Sequence, residues 1–155
     1  MTYSITGLDP AKFTPLFSAS DAELEQALAS RVTATSDSGF PCRVSLVDAS
    51  AGEELILVHH VSNDVAKPFR MAHAIYVRAQ ASAAPVYRDA VPPTLAGRTL
   101  GLRAFSADGM MRKAALAQPG AADAGIRQLL DDPAIAYVHA HNAAYGCFLA
   151  AVERD

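Results

Sequence analysis

An unbroken apolar run at residues 54–61, ELILVHHV, is the strongest constraint on what this chain can fold into. It falls well short of the roughly 18 residues that cross a bilayer. A turn with Gly52 precedes it and a polar loop at 62–68 follows it. A run so bounded reads as a central strand covered on both faces. Neighbours for it are spread along the chain. Residues 3–8, 32–36, 42–48, 73–78, 98–105, 110–116, 135–141 and 147–152 read as short strands, several of them alternating in polarity. Asp37-Ser38-Gly39 and Asp108-Gly109 supply turn signals, the second joining 98–105 to 110–116 as a hairpin.

Helical grammar appears in three places. Asp9-Pro10 opens a turn over 11–17, with Asp9 as N-cap and Pro10 at the first helical position. Ser20 and Glu23 form a capping box ahead of Leu24, Ala27 and Leu28, predicting a helix that ends near Arg31. Residues 121–130 form the third helix, with Ile126, Leu129 and Leu130 inward and Asp131-Asp132-Pro133 closing it. The stretch 79–93, rich in Ala and Pro, has no clear period. Strands joined mostly by hairpins, with two main helices, predict a single α+β domain over 1–155: a mostly antiparallel, strongly curved sheet with the helices packed on it.

Composition narrows the function classes. At 155 residues and 51% hydrophobic, the chain is long enough for one real core. The formal charge of −3, from 13 basic and 16 acidic residues, argues against nucleic-acid binding through bulk charge. No span for a membrane is present, and residues 1–10 lack a basic head followed by an apolar run, so we expect a cytoplasmic protein. Its two cysteines, Cys42 and Cys147, are then expected to be free thiols.

The closing segment carries the most chemistry. A loop at 142–146 puts His141 opposite Cys147, so His139, His141, Cys147 and Leu149 share one face. Ala136, Val138, Ala140, Phe148, Ala150 and Val152 form the other, apolar face, read as the core side. A slip of one residue would move Cys147 to the core. Three functional readings fit two imidazoles and a thiol. One is a metal site completed by Cys42 or His59, although no second compact ligand pair exists. Another is a Cys147 nucleophile with His139 or His141 as base. The third is a pocket for a small anion, with Arg43, Arg78 or Arg103 as forks and the histidines and Asn142 as donors. Against all three stands the plain reading of packed imidazoles and a thiol acting as a small hydrophobe.

Residues 39–49, Gly-Phe-Pro-Cys-Arg-Val-Ser-Leu-Val-Asp-Ala, followed by Gly52-Glu53, resemble the signature of a bacterial family catalogued as domain of unknown function 1203. Pro68-Phe69, Ile75-Tyr76-Val77-Arg78 and the segment from His139 to Cys147 are similar to it as well. His73-Ala74 stands where that family's pattern has a Gly-Pro pair. The resemblance implies no assigned reaction and lends no catalytic residues. It directs attention to Pro41-Cys42-Arg43 and to residues 142–147 together. If their strands are neighbours, Cys42 and Cys147 approach each other while Arg43 points the opposite way, unless a bulge follows Pro41.

From the residues we therefore expect a small-molecule or anion-binding domain whose site is His139, His141, Asn142 and Cys147 with one or more of Arg43, Arg78 and Arg103. A cysteine- or metal-dependent enzyme using the same residues is the first alternative. A protein that self-associates as a homodimer through an edge strand is the second. Neither a metal nor a cofactor is specified by the sequence, and no catalytic residue is assigned.

Overall fold

The computed structural model describes all residues from 1 to 155 and shows an α+β fold built on two antiparallel sheets. In chain order, β1 is Tyr3–Thr6. A 3-10 turn at Pro10–Lys12 leads into α1, Thr14–Phe17, and α2 is Asp21–Gln26. The strands β2 (Ala29–Thr33), β3 (Glu54–Asn63), β4 (Met71–Arg78) and β5 (Val86–Arg88) follow. Next come α3 (Pro93–Ala96), β6 (Leu100–Phe105), β7 (Met111–Ala117) and α4 (Ala122–Leu130). The chain closes with β8 (Tyr137–Asn142) and β9 (Phe148–Arg154). The larger sheet runs β5-β1-β9-β8-β6-β7 and the smaller β2-β3-β4. No helix is long and apolar enough to cross a membrane.

The strands thus divide between two sheets rather than forming one curved sheet. Each sheet has its own core. One face of the larger sheet, through Ile5, Leu102, Val138, Ala140 and Val152, packs on Ile126, Leu129 and Leu130 of α4. The smaller sheet, through Ile56, Val58, Ile75 and Val77, packs on Phe13 and on Leu24 of α2. The apolar run is indeed the central strand of its sheet. It is covered on both faces where Leu55 and Ile56 are consecutive and fully buried, whereas His59 is exposed.

Local signals set the helix starts. Ser20 accepts from the backbone of Glu23 at 3.2 Å, and the Glu23 carboxylate accepts from Ser20 N at 2.7 Å, completing the capping box. The helix does not reach Arg31, however. It ends at Gln26, and Leu28 turns the chain in a left-handed conformation (φ 54°) so that Ala29 pairs with Val58. Leu28 itself is exposed, so it is no part of an apolar stripe. Ladder bonds to β3 prevail over the helical signal of the last few residues.

The segment 42–48 is not a strand. Leu46 N donates to Cys42 O at 3.0 Å and Cys42 N to Val47 O at 3.1 Å, closing a tight turn with Leu46 at φ 56°. The reason lies in burial. Val44 belongs to the core of the smaller sheet and Leu46 to that of the larger, so the segment bridges two cores instead of presenting one face to either. Its backbone joins the smaller sheet at the edge strand β4, through a bridge from Cys42 to Tyr76 and a bond from Arg43 N to Tyr76 O at 3.1 Å.

Candidate functional site

Between the two sheets lies a layer of rings. His60 of β3 and His73 of β4 face His139 and His141 of β8 and Phe148 of β9. His73 meets His141 edge-on at 5.0 Å, and Phe148 meets His60 at 6.2 Å, His139 at 5.1 Å and His141 at 6.0 Å. His139 and His141 do share a face, but the residues opposite them are not those expected. A bulge separates the Ala140–Ala150 and His141–Phe148 pairs. Phe148 therefore sits with the imidazoles, and Leu149 turns into the core beside Val138 and Ala140, the reverse of the simple alternation.

Cys147 lies just before β9, within the hairpin. Asn142 N donates to Cys147 O at 2.9 Å and Gly146 N to Asn142 O at 2.8 Å. Asn142 Oδ1 accepts from Ala144 N at 3.0 Å and Tyr145 N at 3.1 Å, an Asx-type turn that leaves its amide nitrogen without a protein partner. Held in this loop, the Cys147 sulfur meets the Arg43 guanidinium. Nη2 of Arg43 donates to Sγ at 3.3 Å, Nη1 to Pro41 O at 2.7 Å and Nε to Phe148 O at 2.8 Å. Arg43 is only 1% exposed and has no carboxylate partner. Burial works against its charge.

Next to this contact is a pocket of about 500 Å³. Arg43, Arg98, His73, Asn142 and Cys147 supply its polar side chains, and Tyr76 and Tyr145 its rings. Arg98 grips Asp48 through both carboxylate oxygens, at 2.9 and 2.6 Å, and donates to Thr94 O at 2.6 Å. Its charge is met; that of Arg43 is not.

Of the seven residues expected at the site, Arg43, Asn142 and Cys147 line this pocket. His139 and His141 lie behind it in the ring layer, joined to it by the contact of His141 with His73. His139 is 4% exposed and His141 1%, and His139 Nδ1 and His141 Nε2 have no hydrogen-bond partner. Burial, with Arg103 and neighbouring imidazoles, pushes His139 down to about 4. Burial likewise pushes His141 down to about 3, although a bond between its Nδ1 and Gly146 O at 2.9 Å works the other way. Arg78 is elsewhere. It forms a half-buried pair with Glu53 at 2.6 Å and donates to Ser45 Oγ at 3.3 Å. Arg103 pairs with His139 across β6 and β8 and reaches Met71 Sδ at 3.2 Å, outside the pocket lining.

Arg98, His73, Tyr76 and Tyr145 are not among the site residues expected from the sequence; Tyr76 and Tyr145 lie in segments that carry the family resemblance, whereas no motif contains Arg98. The two cysteines are free, and Cys42 is buried, its sulfur accepting from the backbone of Ser45 and Arg78 at 3.4 and 3.3 Å. Cys42 and Arg43 diverge, as expected of neighbours, but it is Arg43 and not Cys42 that meets Cys147. No group of three or more His, Cys, Asp or Glu is arranged to hold a metal ion.

A family profile described as "Protein of unknown function (DUF1203)" matches residues 39–154. No curated protein and no solved structure matches the chain.

Proposed function

The chain belongs to the DUF1203 family, whose description assigns no reaction, and from the geometry we propose that it is a small-anion-binding protein using the pocket beside Arg43. The observation that carries this reading is the guanidinium of Arg43, buried at the pocket wall with no carboxylate partner. A buried charge is costly unless another charge answers it. Two carbonyls and the Cys147 sulfur satisfy three of its donors, and no carboxylate is among them. A guanidinium has further N–H groups to offer. A carboxylate, phosphate or sulfate entering the pocket supplies the missing charge and also meets the free amide nitrogen of Asn142. Leu57, Ala74, Tyr76 and Tyr145 leave room for a small apolar body behind the charged head.

The test is thermal melting with phosphate, sulfate, acetate and benzoate, each titrated against a chloride control. We expect a saturating rise in Tm for at least one of them at millimolar concentration; an anion at a hundred times its Kd adds about 2.7 kcal/mol. Asn142→Ala, at the half-exposed lip, should weaken binding while the protein stays folded, and Arg43→Gln should abolish it. Shifts that never saturate in any of the four, or that persist unchanged in Arg43→Gln, would refute the proposal.

A cysteine-dependent enzyme is the second reading, favoured by the 3.3 Å contact that gives the Cys147 sulfur a cationic neighbour inside a pocket. Here iodoacetamide should alkylate Cys147 well ahead of Cys42, and faster than it alkylates a free cysteine near neutral pH. A rate no higher than the model thiol removes this reading and leaves the anion pocket standing.

A further inference from the structure

Resting on the anion-pocket reading, we infer that the pocket takes up its anion together with one proton from solvent, and that His73 carries it. His73 lines the pocket with Arg43 and Arg98. Its Nδ1 lies 3.4 Å from Ser62 Oγ, and that hydroxyl donates to Met71 O at 3.5 Å. Nε2 makes no hydrogen bond within the protein. A neutral imidazole offers an anion at most an uncharged N–H, whereas the protonated ring has two charged donors, the form an anion favours.

The surroundings of His73 point the same way. From β3, His60 lies directly across in the ladder, with His59 beside it. From β8, the ring of His141 is 5.0 Å away, with His139 a further 6.2 Å beyond. Arg103 comes from β6, Arg43 from the turn at 42–48, Arg98 from the segment before β6 and Cys147 from the hairpin. No carboxylate lines the pocket. Burial, and after it Arg103, Arg43 and His59, hold the His73 imidazole below its ordinary value, so the empty site keeps it neutral near pH 7. An arriving anion reverses that field. By linkage, whatever anion binding does to the proton, the proton does to the anion.

Sulfate is a suitable probe, because it stays doubly charged across pH 6 to 8 and any pH slope then belongs to the protein. Calorimetric titration with sulfate over that range, in two buffers of different ionisation enthalpy, reads affinity and proton uptake together. We expect the affinity to rise as pH falls, by up to about tenfold per unit, with close to one proton taken up per sulfate. His73→Gln should still bind sulfate, with affinity independent of pH. A pH-independent affinity without proton uptake in the wild type overturns the inference while the pocket reading survives. An unchanged slope in His73→Gln assigns the proton elsewhere and overturns it too. No sulfate binding at any of these pH values overturns the inference and counts against the reading beneath it.

Discussion

Between pH 7 and 5.5 the folded state should lose roughly 2 to 3 kcal/mol, well before the carboxylates titrate. His139 and His141 are the cause. In the unfolded chain each titrates near the ordinary histidine value of 6.5; in the fold they are pushed down to about 4 and about 3. A base held neutral by the fold contributes its full stability above the unfolded pKa. As pH falls below 6.5 the unfolded chain takes up protons that the folded chain refuses, and stability drops by about 1.4 kcal/mol per pH unit for each imidazole. For His139 the loss runs down to pH about 4, and for His141 to about 3. His60 and His73, also lowered by burial, add to the same window. The carboxylates of Glu53 and Asp123 are held below their usual range and act only at lower pH. Urea unfolding at half-unit steps of pH measures the slope. Replacing His139 by Phe, among the rings of Phe105, Tyr137 and Phe148, should remove one histidine's share of it. Stability that stays level from pH 7 to 5 would show that these rings titrate normally.

Gly7→Ala should be the most damaging single methyl in the chain, costing about 3 kcal/mol or more. A Cβ at Gly7 would lie 1.8 Å from the carbonyl oxygen of Val44 and 2.8 Å from its carbon. Backbone atoms cannot swing aside as a flexible side chain does, so the turn at 42–48 must move as a whole. That turn is tied to the segment just after β1 by the bond from Leu8 N to Arg43 O at 2.8 Å, and it carries the guanidinium of the pocket. Stability and anion binding should fall together. Gly97→Ala is the control, since a Cβ there meets nothing within 4 Å. Urea unfolding of the two variants decides the matter; equal stabilities would mean that the close approach at Gly7 relaxes freely.

Much of the fold was legible because its signals are local. Ser20 and Glu23 cap the same turn whatever surrounds them. Gly109, at φ 82°, turns β6 into β7 as Asp108-Gly109 suggests. The inward residues Ile126, Leu129 and Leu130 are buried on α4 as their spacing requires. The turn at 42–48 was not legible, because alternation in Cys-Arg-Val-Ser-Leu-Val-Asp is consistent with a strand and is silent about two separate cores. Nor was the exchange of Phe148 and Leu149, since a bulge leaves no mark in the order of residues. At the candidate site, the convergence of the motif around Pro41-Cys42-Arg43 with the last hairpin was suggested, but not which side chain makes the contact. Arg43 and Cys147 are 104 positions apart. Arg98 and His73 join them only because the edge of one sheet lies against the hairpin of the other.

By itself, then, the sequence determined where most strands and helices begin, that their sum is α+β and antiparallel, and that two imidazoles and a thiol lie close together along the chain near its C-terminus. Tertiary structure alone decided that the strands part into two sheets, that the imidazoles are sealed between them, and that the pocket opens beside Arg43 instead. The physical reason is range. Caps, turns and periodicity are settled by neighbours a few bonds away, whereas the buried guanidinium of Arg43 is settled also by the carbonyl of Phe148, 105 positions away, by the sulfur of Cys147 and by the absence of any carboxylate, which no stretch of sequence displays.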